Sequence, residues 1–224
     1  MASLSLADQI NALIGEALLV MSGVEGSFIR VSGSKGGRRK LRDIQLVVNG
    51  SSSQTASSSS SSSSSGGGSV RAGGVSTHAP GIDKSIADQI TNLLPICEHA
   101  YRIREFIRSH SQYYYGLVSH ALTAEIKTII REFDVLISHL EEIYIQGKLS
   151  LQKLLFMLQP SMNVLKNVSS LCASLDSKRG GDMLNSLYTI IYDQGDAKTR
   201  ELFTGIFYQA LKPFISMLEK WLLR

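Results

Sequence analysis

Cysteine is nearly absent. Only Cys97 and Cys172 occur in 224 residues, too few to staple a small secreted scaffold or to supply a four-ligand zinc site. Both fall in apolar helical patterns, so buried thiols in a reducing cytosol are expected. Long apolar runs are missing as well. The longest, Ala17–Met21 and Leu154–Leu158, fall far short of the roughly 20 residues a membrane span needs, so no span is expected. Met1–Asp8 carries no basic segment leading into an apolar core, which argues against a secretory leader and for a cytoplasmic chain. Charged residues are sparse at 19%, against 43% hydrophobic. That balance excludes a wholly disordered or collagen-like chain and leaves material for one sizeable core.

The net charge of +4 is concentrated in one place. Arg30, Lys35, Arg38, Arg39, Lys40 and Arg42 face the single acid Asp43 between positions 30 and 48, and the rest of the chain is close to neutral. This glycine-flanked loop reads either as a solvated hairpin tip or as a contact for phosphates or an acidic partner. Lys35, Arg38, Arg39, Lys40 and Arg42 are therefore candidate partner-binding residues. Tyr113, Tyr114 and Tyr115 join them, as three adjacent rings at an interhelix junction. Stacking on bases needs a basic groove beside the rings, and Glu98 and Glu105 dilute the charge of Arg102, Arg104 and Arg108. Packing across the junction or anchoring a protein interface suits the tyrosines better.

Three segments follow from composition. Residues 1–48 open with a helix signalled by Ser5 and Asp8 as a capping pair. Ile10, Leu13, Ile14, Ala17, Leu18 and Met21 share one of its faces. Two strand-like runs follow, 28–31 and 44–48, the arms of a hairpin that must dock on a larger body. Residues 49–81 hold twelve serines between positions 51 and 65, then Gly66–Gly68, and read as a flexible insertion. Residues 82–224 are helical in pattern. Asp83 starts a helix that Pro95 kinks or restarts, with a break near His110–Gln112. A long helix runs from Leu117 to Gln146, stopped by Gly147. Ser150 caps the next, with a kink expected at Pro160. Gly180–Gly181 separates it from a shorter helix, and Asp196 caps the last, bent at Pro213. The expected fold is all-α: an antiparallel helical bundle with a small N-terminal β hairpin and a long disordered insertion.

Catalytic and cofactor chemistry finds no footing. The run Gly33–Lys40 is glycine-rich and basic but lacks phosphate-loop spacing. No two of His78, His99, His110, His120 and His139 stand three or four apart, the spacing that helical metal ligands need. Glu141 and Glu142 are adjacent, so they point apart on a helix. Cys172 has no basic neighbour to lower its pKa. No enzyme, metal or cofactor is expected.

Several motifs stand together in an order that resembles the gamma-tubulin complex component family. Leu18–Ile29, with its Gly-x-x-Gly turn, resembles the family's opening signature. Gly116–Leu122 is similar to the start of its long helix, and Lys178–Leu184 and Leu218–Trp221 to later landmarks. Gly147–Leu154 followed by Gln159–Met162 is most similar to the component 2 branch, with component 3 second. The resemblance covers nearly the whole chain except the serine tract. It implies a non-enzymatic assembly module, the lateral-packing N-terminal half of a component, in a complex that templates microtubule nucleation at centrosomes and spindle poles. It also implies that neighbouring components are the direct partners. Gamma-tubulin would be reached only through them, because the half that binds it is not in this sequence. The alternative from another class is a helical adaptor binding nucleic acid or an acidic partner through loop 35–42.

Overall fold

The computed structural model describes residues 6–24, 29–33, 41–46 and 84–223. Helix α1 spans Leu6–Ser22. Strands β1 (Ile29–Gly33) and β2 (Leu41–Leu46) pair antiparallel, with Ile29 opposite Leu46 and an irregularity between Val31 and Gly33. Six helices follow: α2 (Lys84–Thr91), α3 (Leu94–His110), α4 (Leu117–Ile145), α5 (Leu151–Leu175), α6 (Gly180–Asp193) and α7 (Ala197–Leu222). A single 3₁₀ turn at Tyr113–Tyr115 joins α3 to α4. The fold is all-α. Ser5, Asp83 and the serine-rich segment lie outside the described residues, and so does the 34–40 connection between the strands.

The helices begin and end where local chemistry dictates. Pro95 sits in the first turn of α3, where its missing N–H costs nothing; it restarts the chain after α2. Gly147 takes φ 69°, a left-handed conformation that costs a side-chain-bearing residue far more. Its amide donates to the Tyr144 carbonyl, and Lys148 N donates to Ile143 O, which closes α4. Ser150 Oγ accepts from Lys153 N and opens α5. Asp196 accepts from Thr199 N and opens α7. The expectation at Gly180–Gly181 needs correction. These glycines are the first residues of α6, because Arg179 is extended and its carbonyl accepts from Asp182 N. Neither Pro160 nor Pro213 breaks its helix; α5 and α7 run through both.

One core holds the bundle together. Helix α4, about 43 Å long at 1.5 Å per residue, is the spine, and α1, α3, α5, α6 and α7 all lie against it. Its face of Leu122, Ile126, Ile130, Phe133, Ile137 and Leu140 is buried, as the helical spacing requires. Ile14, Leu18 and Met21 of α1 close one side, Ile96, Ala100 and Ile103 of α3 the next. Leu154, Leu158, Val168 and Leu175 of α5 and Phe203, Ile206 and Ala210 of α7 complete it. Strand β2 runs beside α3 and β1 beside α1. No described helix is long and apolar enough to cross a membrane.

Candidate functional site

The tyrosine run sits at one end of the bundle, where the α3–α4 junction meets the turn between α5 and α6. His110, the last residue of α3, is buried there and ties the pieces together. Its ring stacks on Phe106 at 4.1 Å and meets Tyr115 at 4.4 Å. Nδ1 lies 2.8 Å from Ser109 Oγ, and Nε2 lies 3.2 Å from the Asp176 carbonyl oxygen at the end of α5. Ser119 Oγ donates to the His110 carbonyl, so the start of α4 is fixed to the same point.

Around this anchor the three tyrosines divide. Tyr115 is half-buried against His110. Tyr114 meets Tyr115 edge-on at 5.9 Å, and the Arg179 guanidinium lies 4.4 Å from the Tyr114 ring and 4.8 Å from the Tyr115 ring. This cation–π clamp joins the turn before α6 to the turn before α4. The hydrogen bond from Arg179 holds the Tyr114 phenol below its ordinary pKa. Tyr113, 93% exposed, makes no ring contact. Packing across the junction therefore holds for the half-buried Tyr115, while Tyr114, 75% exposed, touches only Tyr115 and Arg179 among the described residues. Tyr113 makes no ring contact among the described residues, because a 3₁₀ turn splays consecutive side chains about 120° apart.

The basic cluster is less accessible to description. Lys35, Arg38, Arg39 and Lys40 lie outside the described residues, and Arg42 is placed only by its backbone, in β2. The other arginines are engaged: Arg102 pairs with Glu98 and Arg108 with Glu105. Arg104 does something the sequence did not disclose. It donates to the Met21 carbonyl at 2.8 Å and to Asp134 at 2.5 Å, joining the end of α1 to α3 and α4.

Both thiols are buried, and desolvation pushes Cys97 up to about 12 and raises Cys172 as well. Neither supplies a thiolate nucleophile near neutral pH. His99 Nδ1 is buried without a hydrogen-bond partner, and burial lowers that imidazole's pKa. Among the described residues no three His, Cys, Asp or Glu side chains come together as a metal site.

Two further exposed surfaces lie outside the candidate residues. Tyr188 and Tyr208 flank Phe207 on the α6–α7 side, each about 6 Å from its ring, and Tyr192 is exposed further along α6. Past Pro213, every described residue of α7 is exposed, including Phe214, Ile215, Leu218, Trp221 and Leu222. Trp221 is 86% exposed, more than its helical spacing from Phe214 and Leu218 suggested. The helix nonetheless persists to Leu222 rather than fraying.

A helical bundle whose exposed tyrosines and apolar side chains lie on its ends and flanks belongs to the class of α-helical bundle proteins. Residues 14–224 match the family described as gamma tubulin complex component N-terminal. The chain belongs to that family. It is 35% identical over 148 residues to gamma-tubulin complex component 2 of Mus musculus, covering 65% of this chain and 16% of that protein. It is 28% identical over 145 residues to gamma-tubulin complex component 2 of Arabidopsis thaliana, covering 63% of this chain and 21% of that protein. It is 26% identical over 188 residues to spindle pole body component alp4 of Schizosaccharomyces pombe, covering 64% and 24%. The chain thus spans a quarter or less of the length of these relatives. The comparisons give no support to nucleic-acid binding through loop 35–42.

Proposed function

We propose that this chain is a structural, non-catalytic assembly module of a gamma-tubulin complex. It packs laterally against neighbouring components and thereby helps to set the template for microtubule nucleation. The observation that carries this reading is the family match from residue 14 to residue 224. The mechanism is geometric. A rigid bundle with a spine of about 43 Å fixes the spacing of whatever its flanks hold, and a stable lateral contact needs about 1,200–2,000 Å² in total. Gamma-tubulin is reached through those neighbours rather than directly, and the site of action is the cytoplasmic microtubule organising centre or spindle pole.

Co-expression with a second family component and gamma-tubulin tests this. The chain is expected to co-purify with the component, and gamma-tubulin to follow only when that component is present. Stoichiometric capture of gamma-tubulin by this chain alone would overturn the indirect assignment.

The finer organisation belongs to the same reading. Residues 1–48 contribute a helix and a hairpin that docks on the bundle, residues 82–224 form the bundle, and the serine-rich residues 49–81 lie outside the described residues. The composition of residues 49–81 offers almost no apolar area to set against ordering entropy. Replacing residues 51–68 with a short glycine-serine link is expected to leave the melting temperature nearly unchanged. A loss above about 2 kcal/mol would exceed what loop length alone costs and show that the segment is packed.

A further inference from the structure

Helix α1 is held to α4 by a close latch. The hydroxyl of Tyr144, in the last turn of α4, donates to the Asn11 carbonyl of α1 at 2.9 Å. The ring reaches that carbonyl because Gly15 stands beside it. A Cβ at this position would lie 2.9 Å from Tyr144 Oη and 3.3 Å from its Cζ. The latch is thus a half-buried phenol seated on bare helix backbone at the margin of the core. The turn that carries it is poorly suited to stay closed. Glu141 and Glu142 bring negative charge to the end of α4 where the helix dipole is already negative, and no basic residue stands in that turn. Gly147 closes the helix just beyond. The same two carboxylates, followed by Ile143, directly precede the tyrosine. Of the eight tyrosines, Tyr144 alone has two acids among the three residues before it.

We propose that Tyr144 is a phosphorylation site, and that its modification by a protein-tyrosine kinase unlatches α1 from the bundle. Acids just ahead of the acceptor are a charge pattern that a kinase with a basic substrate groove selects. The last turn of α4, once frayed, presents Glu141–Tyr144 to such a groove in extended form. Tyr144 Oη then attacks the γ-phosphorus of ATP. The Oη–P bond forms, the bond from that phosphorus to the β,γ-bridging oxygen breaks, and ADP leaves, while the phenol proton passes to the catalytic aspartate of the kinase. The product has lost its donor. Its phosphate bears nearly two negative charges and only acceptor oxygens, and it faces the Asn11 carbonyl, itself an acceptor, in a space already cramped at Gly15. It also stands at a helix C-terminus, where added negative charge disrupts. Helix α1 contains no lysine or arginine to meet it and carries Asp8 and Glu16 instead. Lys148, beyond the end of α4, donates to Gln146. This switch needs only α1 and α4, so it stands or falls apart from the assembly reading.

The full chain, incubated with MgATP and a tyrosine kinase selective for acids ahead of tyrosine, tests this. Peptide mass spectrometry maps the phosphate, and amide hydrogen exchange follows α1. Phosphate is expected on Tyr144 ahead of the far more exposed Tyr113. In the product, the amides of Leu6–Ser22 should exchange about tenfold faster while the α4–α7 seam keeps its protection. Tyr144→Phe loses the same hydrogen bond without gaining charge, so it should move α1 exchange far less. Gly15→Ala should leave the circular dichroism spectrum unchanged, since its Cβ meets only the outer part of the Tyr144 ring. By displacing the hydroxyl from Asn11 it should raise the rate of labelling at Tyr144 about fivefold, the worth of one hydrogen bond. Phosphate confined to other tyrosines, a rate at Tyr144 indifferent to Gly15→Ala, or a phosphorylated chain whose α1 exchanges as before would overturn the proposal.

Discussion

Arg104 joins three helices through one side chain. One guanidinium arm takes the Met21 carbonyl at the end of α1, and the other takes Asp134 on α4. A lysine's donors all radiate from one nitrogen, so it cannot span two acceptors that Arg104 reaches with separate arms. Arg104→Ala is expected to cost about 1–3 kcal/mol, read as a lower urea midpoint with an unchanged slope. Arg104→Lys should recover only part of that. The aromatic residues of α7 make the opposite contrast. Phe203 is buried and Trp221 is almost free. Phe203→Ala should lose about 3–5 kcal/mol, whereas Trp221→Ala should stay within about 0.5 kcal/mol. Acrylamide should quench the lone tryptophan readily at low protein concentration.

Helix ends rest on short-range chemistry, and two caps here can be told apart by their dependence on pH. Ser150 caps α5 with a hydroxyl that does not titrate. Ser150→Ala is expected to cost about 0.5–2 kcal/mol at any pH in the folded range. Asp196 caps α7 with a carboxylate, and hydrogen bonds from the Thr199 hydroxyl and amide hold its pKa below the usual value. Around the ordinary carboxylate pKa, the folded chain therefore binds fewer protons at this site than the unfolded chain. The cap's stabilisation is fully present above the unfolded value and fades as pH falls through the depressed folded one. Asp196→Asn keeps an acceptor but cannot titrate. Its melting temperature should fall less steeply than that of the wild type on acidification, and parallel curves would count against the assignment.

At the scale of the whole molecule, the class of fold was legible because burial of a helix face imposes a period of 3.6 on the sequence. The stripe on α4 from Leu122 to Leu140 is an instance. The stop at Gly147 and the starts at Ser150 and Asp196 were legible for a related reason, since caps and left-handed turns depend on neighbours within four residues. Cys97 and Cys172 could be assigned to the interior because they sit inside such stripes. What the sequence left open depends on residues far apart in the chain. That Arg104 would choose Asp134 and Met21 over its near neighbours follows from where α1 and α4 lie. That Arg179 would clamp Tyr114 and Tyr115 while Tyr113 stayed free follows from the meeting of two turns more than sixty residues apart. Periodicity marked Phe214, Leu218 and Trp221 as one apolar face, but a period cannot say whether another helix arrives to cover it. Only the packed structure decided which of these stripes another described helix covers, because burial belongs to the assembled set of helices and not to any one of them.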